Sequence, residues 1–483
     1  MKVCRITLRE TVFIFVTAAL TITICSKSSI LYPINDWVDA NTYLTIGRAM
    51  LHGAVPYRDL YEQKGPLIYF FHAAAAVVSN SSFFGVFLLE IFACSVFLIV
   101  SFHIICNFCD RRHIAVIPLI SMIVYSSGAF CHGDSAEEFC LPLLVFSVYT
   151  IFSAFRSGIP LTKKQWFCSG VLAAAVFWIK FSLVGLYAAF FISAIFLSLR
   201  TESLKELIYG ILNAFLGAAA LTAPIMLYFA LNNALCELFE VYIADNLFRY
   251  GGSSSIAANL FDGLKFTCVF LRIPAAVICL GAAALLFQKK FREFFLLLFM
   301  LVITFSTIFG GHLSYRYYPL PLAVFLPITT SVLIDSIKKR TSIVIRCASL
   351  TICALFCLWR SPNTYLMKYN KSDLPQYKFS EIIKSEHSPA LLNYGFIDGG
   401  FYLASETIPE FKYFCRNNMN IPEMIIAQDL YIEQQIPDFI VMRSTKPKPD
   451  IAPKGYSLVS VAEFSYYEKY FYYFLYKKHL QFN

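Results

Sequence analysis

The chain has 483 residues, 58% of them hydrophobic and only 15% charged, with a mean hydropathy of +0.61. Soluble domains average nearer half apolar and a quarter charged, so a single water-soluble core is excluded and a membrane is the natural solvent. The net charge of +9 is spread over short basic clusters between apolar runs, which argues against a nucleic-acid partner.

Taken in chain order, Lys2, Arg5 and Arg9 lead into an apolar run from Thr11 to about Ser26. It lacks a small-x-small cleavage site and reads as a retained first helix. A span needs about 20 mostly apolar residues. Eleven segments qualify: 10–28, 83–107, 114–131, 137–155, 166–180, 182–199, 206–231, 264–287, 291–309, 317–335 and 342–359. The stretch Pro66–Ser79 is short for a span and is assigned to the membrane surface. The inside connections are then the N-terminus, Arg111–Arg112, Arg156–Lys164, Arg200–Lys205, Lys289–Arg292 and Lys338–Arg346. Nearly every basic cluster falls on one side, as the positive-inside rule requires; counting 66–79 as a span would scatter them. The outer connections become 29–82, 132–136, the turn near Lys180, 232–263 and 310–316. Residues 1–360 thus form the membrane domain. The more polar 361–483 form a small outer α/β domain, with strands at Ala390–Tyr394 and Asp438–Met442 and a helix near Pro422–Gln434.

Of the fifteen cysteines most lie inside apolar runs, where Cys behaves as a small buried hydrophobe. The CxxC of Cys106 and Cys109 has no second pair and no nearby His cluster, so no metal ligand and no cofactor is predicted; a divalent ion is left open.

Ionisable groups within or beside spans are costly and mark function by default. Four sets stand at the predicted outer ends. Asp36 and Asp39 follow the first helix, where a carboxylate suits general-base work; the plainer reading makes Asp39 a helix N-cap before Tyr43. Arg58 and Lys64, in Pro56–Pro66, suit an anionic head group or lipid phosphates at the interface. Asp134, Glu137 and Glu138 enter a span; the preference of helix starts for acids explains one of them. Lys180 and Arg316 suit a phosphate at the membrane surface, or else snorkel to it. His312 carries little by itself.

The run Asp39-Ala40-Asn41-Thr42-Tyr43, then Gly47-Arg48, Gly53, Pro56-Tyr57-Arg58-Asp59-Leu60 and Lys64-Gly65-Pro66-Leu67, resembles the first outer loop of bacterial GT-C glycosyltransferases, nearest the protein-mannosyltransferase and aminoarabinose-transferase-like members. Gly133–Pro142, with its Glu137-Glu138-Phe139, resembles the family's second acidic loop. Lys180 is similar to a lysine between paired short helices, and Tyr315-Arg316-Tyr317-Tyr318 to a motif in which His often stands where Arg316 is. Leu391–Tyr402 and Lys412–Cys415 resemble the outer domain of one bacterial subgroup.

The resemblance implies an α-helical multi-pass GT-C membrane fold with two juxtamembrane helices in the first outer loop. It implies a place in the bacterial inner membrane, where the positive-inside rule and the odd number of spans put the N-terminus in the cytoplasm and the C-terminal domain outside. The expected activity is inverting transfer of a sugar from a polyprenyl-phosphate-linked donor to an envelope glycan, lipid or protein. Asp39 is the implied catalytic base, with Asp36 in reserve, although the family's adjacent acidic pair is here Asp39-Ala40. Arg58, Lys64, Lys180 and Arg316 are expected at the donor phosphate, and Asp134, Glu137 and Glu138 at the acceptor or orienting those cations. Two competing readings are a lipid-linked glycan flippase, which calls for midplane charges and inverted repeats, and a non-catalytic lipid-binding relative.

Overall fold

The computed structural model describes residues 6–109, 113–250, 255–311, 314–335, 342–419, 421–449, 452–466 and 469–479. His312 and the basic residues Lys2, Arg5, Arg111, Arg112, Lys338, Lys339 and Arg340 lie outside the described residues. In chain order the helices are α1 (Leu8–Cys25), α2 (Val38–Met50), α3 (Pro66–Val78), α4 (Phe84–Phe108), α5 (Val116–Tyr125), α6 (Ala136–Ser157) and α7 (Lys163–Ile179). Then come α8 (Gly185–Thr201), α9 (Leu204–Leu231), α10 (Leu235–Glu237), α11 (Asn246–Phe248), α12 (Ile256–Phe270), α13 (Arg272–Phe287) and α14 (Phe291–Phe309). The last are α15 (Leu326–Ile334), α16 (Ile343–Arg360), α17 (Pro375–Ile383), α18 (Phe401–Ala404) and α19 (Pro422–Glu433).

The chain divides into two compact units. The first, residues 1–29, 87–227 and 251–364, holds the membrane helices. Among the described residues seven helices, α1, α4, α6, α8 with its 3-10 lead Phe181–Val184, α9, α14 and α16, are long and apolar enough to cross a membrane. The segment expected as one span at 264–287 is instead two helices, α12 and α13, bent by 103° at Leu271. Counted as one broken span, the pair raises the number to eight. The other three expected spans are helical but short: α5 has 10 residues, α7 has 17, and the 3-10 turn Leu320–Phe325 leads into α15. Ten residues rise only ~15 Å, about half the hydrocarbon thickness.

The ends of these helices follow from local chemistry. Ser135 caps α6 by accepting the Glu138 N–H at 3.0 Å, and Gly158 closes it at φ 65. Thr162 and Gln165 form a capping box on α7, satisfying backbone donors that have no partner within the helix. Glycines set the closest approaches: a Cβ on Gly170 would lie 1.9 Å from the Ala214 carbonyl oxygen, and one on Gly281 2.4 Å from Thr329 Cβ. Small residues at helix contacts replace the hydrophobic drive that lipid does not supply.

The second unit comprises 30–86, 228–250 and 365–483. It joins the first outer loop and the 228–250 segment to the tail. The tail carries a four-stranded sheet in the order β1 (Leu391–Tyr394), β2 (Phe439–Ser444), β4 (Lys469–Lys478), β3 (Tyr456–Tyr466). β1 and β2 are parallel, with Leu391 opposite Phe439, and α19 lies between them in the chain, so parallel pairing is bridged by a helix. β4 runs antiparallel to both β2 and β3. Leu392, Ile432, Ile440, Tyr456, Phe474 and Tyr476 form a core. Strands β1 and β2 and helix α19 stand within a few residues of the expected segments; the β3–β4 hairpin was not foreseen.

Candidate functional site

In the second unit, Trp37 and not Asp39 occupies the N-cap of α2. Asp39 stands in the first helical turn, so the plainer capping role does not apply to it. Its Oδ2 lies 3.6 Å from Lys64 Nζ, both side chains being largely buried. The Tyr43 ring, one turn on, stands 5.7 Å from the same ammonium. Lys64 is fixed from behind: its N–H donates to Glu62 Oε2 at 2.8 Å, and its carbonyl accepts the Tyr57 hydroxyl at 2.6 Å. Tyr57 is buried at φ 70, a backbone region costly for a bulky residue and tolerated where the surroundings over-determine it. Tyr69 donates to the same Glu62 oxygen.

An unforeseen π-helix, Leu238–Asp245, braces this loop. Asp245 Oδ2 accepts the Tyr61 hydroxyl at 2.7 Å, and the Asn246 amide donates to the Gln63 carbonyl at 2.7 Å. π-turns recur at functional sites. Arg58 makes a two-pronged pair with Asp59 at 2.8 and 2.7 Å and donates to the Asn232 carbonyl at 2.7 Å. The guanidinium holds the Asp59 carboxyl below the usual range. Arg58 is thus engaged in holding the turn. Asp36 is buried in the segment before α2.

Helix α2 is also tied to the tail within this unit. Thr45 donates to Asp398 Oδ2 at 2.6 Å and the Gly400 N–H to Oδ1 at 2.8 Å. Burial outweighs these bonds and the charge of Arg48, pushing the Asp398 carboxyl up to about 6. The buried Arg48 donates to the Tyr402 carbonyl at 3.1 Å.

In the membrane unit, Lys180 terminates α7 in an extended conformation and ion-pairs with Glu137. Its ammonium lies 4.0 Å from the Tyr318 ring centre and 5.4 Å from that of Tyr317. Arg316 stands over the Phe270 ring at 5.1 Å. Beside them the Asp134 N–H, at φ 62, is shared by Glu90 Oε1 and Glu138 Oε2, each at 2.9 Å. Ser26 donates to Glu90 Oε2 at 2.9 Å. Lys27 is buried and donates its N–H to the His132 carbonyl at 2.9 Å. Burial, then the charges of Lys27 and Arg316, hold the His132 imidazole well below its ordinary pKa. Among the described residues no group of three His, Cys, Asp or Glu is arranged to hold a metal.

Of the expected site residues, then, Asp39 is brought to Lys64 in one unit, and Glu137 to Lys180 and Asp134 to Glu138 in the other. Sequence reasoning missed Glu90, Lys27, Asp245 and Asp398. Glu90 was findable, because it is the sole acid in the 25-residue apolar helix α4, where an ionisable group is expensive. Lys27 was hidden by its position at the end of a span, where lysines ordinarily snorkel.

No family model matches the sequence, and no curated protein matches it. Among solved structures, the chain is similar to ArnT from Cupriavidus metallidurans bound to undecaprenyl phosphate, with a TM-score of 0.64 and 12% identity over 97% of this chain and 98% of that one. The apo ArnT of the same organism gives 0.62 and 10% over 96% and 97%. The chain has the fold of ArnT over essentially its whole length.

Proposed function

We propose that this chain, with the fold of ArnT from end to end, is an inner-membrane glycosyltransferase. In this reading it moves a sugar from a polyprenyl-phosphate-linked donor to an envelope glycan, lipid or protein at the extracytoplasmic face, with Asp39 as general base. The observation that carries the reading is the buried Asp39–Lys64 pair at 3.6 Å. It sets a proton acceptor beside a cation on a braced loop. The acceptor hydroxyl oxygen attacks the anomeric carbon from the side opposite the phosphate. Its proton passes to Asp39, and the bond from the anomeric carbon to the phosphate oxygen breaks with its electron pair on the leaving polyprenyl phosphate. Lys64 balances that charge; in the membrane unit Lys180, oriented by Glu137, and Arg316 are the candidate phosphate cations. Arg58 contributes through the turn it holds, and Asp134 and Glu138 through the loop that leads into α6.

The ligand in the ArnT structure, undecaprenyl phosphate, supports a lipid-phosphate leaving group. The test uses membranes carrying the full chain and supplied with lipid-linked sugars extracted from the producing bacterium. Release of polyprenyl phosphate and new glycosidic product are followed together. Asp39→Asn is close in shape and removes both the base and the negative partner of Lys64, so transfer should fall by about a hundredfold or more, with folded protein measured alongside. Full transfer by Asp39→Asn sinks the assignment.

A further inference from the structure

A groove in the membrane unit, formed by α6, α8 and α14, takes no part in the chemistry above. Its volume is about 550 Å³ and its walls are apolar, with Phe155, Phe196, Phe295 and Phe299 among them; ligand pockets commonly measure ~300–1,000 Å³. Two arginines line it: Arg200 in the last turn of α8, and Arg292, the second residue of α14. Arg200 lies against the Phe196 ring at 4.2 Å. Among the described residues, neither guanidinium forms an ion pair with a carboxylate. The groove sits at the C-terminal end of α6, next to Gly158, whereas Glu137 begins that helix. The intervening 20 residues rise ~30 Å, so this is the opposite end of the bundle from the Glu137–Lys180 pair.

We infer that this groove binds one anionic phospholipid, its phosphate between Arg200 and Arg292 and an acyl chain along the phenylalanine walls. Charge complementarity selects the occupant. Two arginines without acidic partners match phosphate oxygens, and basic pockets between membrane helices take anionic head groups. The apolar walls favour a lipid over a free anion, since a small hydrated ion leaves them uncovered.

The test titrates phosphatidylglycerol and phosphatidylcholine into the delipidated full chain in detergent and counts bound lipid by native mass spectrometry. Phosphatidylglycerol should bind more tightly. The exposed pair Arg200→Gln/Arg292→Gln should weaken it about thirtyfold, roughly fivefold for each arginine, down to the level of phosphatidylcholine. Ile192→Trp, an exposed lining residue, keeps both arginines and obstructs the groove, so binding of both lipids should fall. Equal binding of the two lipids by the unaltered chain overturns the inference. So does an undiminished preference in the double variant, Ile192→Trp without effect, or displacement of phosphatidylglycerol by millimolar inorganic phosphate.

Discussion

Asp398 shows how one side chain links the tail to the loop that carries Asp39. Its carboxyl is fully buried, bonded to Thr45 and the Gly400 N–H, and pushed up to about 6. In the unfolded chain an Asp titrates near 4. Below pH ~4 the group is protonated in both states. Between about 4 and 6 the unfolded chain releases a proton that the fold retains, so stability due to this group is lost as pH rises and is constant above 6. The slope is at most ~1.4 kcal/mol per pH unit. Thermal midpoints of the detergent-purified protein, compared with Asp398→Asn across pH 4 to 7, should show the unaltered chain falling relative to the variant inside that window. Parallel curves would contradict the assignment. At this same scale the Asp39–Lys64 pair is the group on which the proposed chemistry turns. Asn keeps the shape of Asp39 while removing its charge, and Glu62 Oε1 remains 3.9 Å from the Lys64 ammonium, so Asn is the informative replacement at position 39.

Among the elements, the α2–α3 contact governs where Asp39 stands. Gly47 of α2 packs so closely on α3 that an added Cβ would lie 2.5 Å from the His72 carbonyl carbon and 2.6 Å from the Ala73 nitrogen. Both are backbone atoms and cannot swing aside, so Gly47→Ala must part the helices. Overpacking of this kind costs ~1–3 kcal/mol. It also shifts α2, which carries Asp39, relative to the loop that carries Lys64. A lowered thermal midpoint and a loss of transfer larger than the loss of folded protein are expected. Gly311→Ala, with open space around the site, should change neither. The π-helix Leu238–Asp245 braces the loop from its other side through Asp245 and Asn246.

For the molecule as a whole, the eleven-segment topology makes a claim about sides that the positive-inside rule alone carries. Cys236 is exposed in the 228–250 segment, a connection expected outside. A membrane-impermeant maleimide added to intact spheroplasts should label Cys236, and Cys236→Ser should abolish that fraction of labelling. Labelling of Cys236 only after lysis would invert the topology and with it the proposed extracytoplasmic face.

Hydropathy and charge placement by themselves determined that the chain is a multi-pass membrane protein, because burying a 20-residue apolar run in lipid leaves few alternatives. They also located the helical segments, the helix at 66–79 and the strands β1 and β2, all of which rest on short-range periodicity. The acids and cations worth attention were legible for a related reason, since charge beside lipid is costly wherever it occurs. What periodicity could not carry was partnership. That Asp39 meets Lys64, 25 residues away, and Glu137 meets Lys180, 43 residues away, depends on how helices pack. The 103° bend at Leu271 had a local signal, Arg272 in the apolar run and Pro274 in the first turn of α13, but its angle depends on packing. Glu90 and Asp398 acquired meaning only once the fold surrounded them with donors, and the joining of the tail to the first outer loop in one unit is a long-range fact that no local signal encodes.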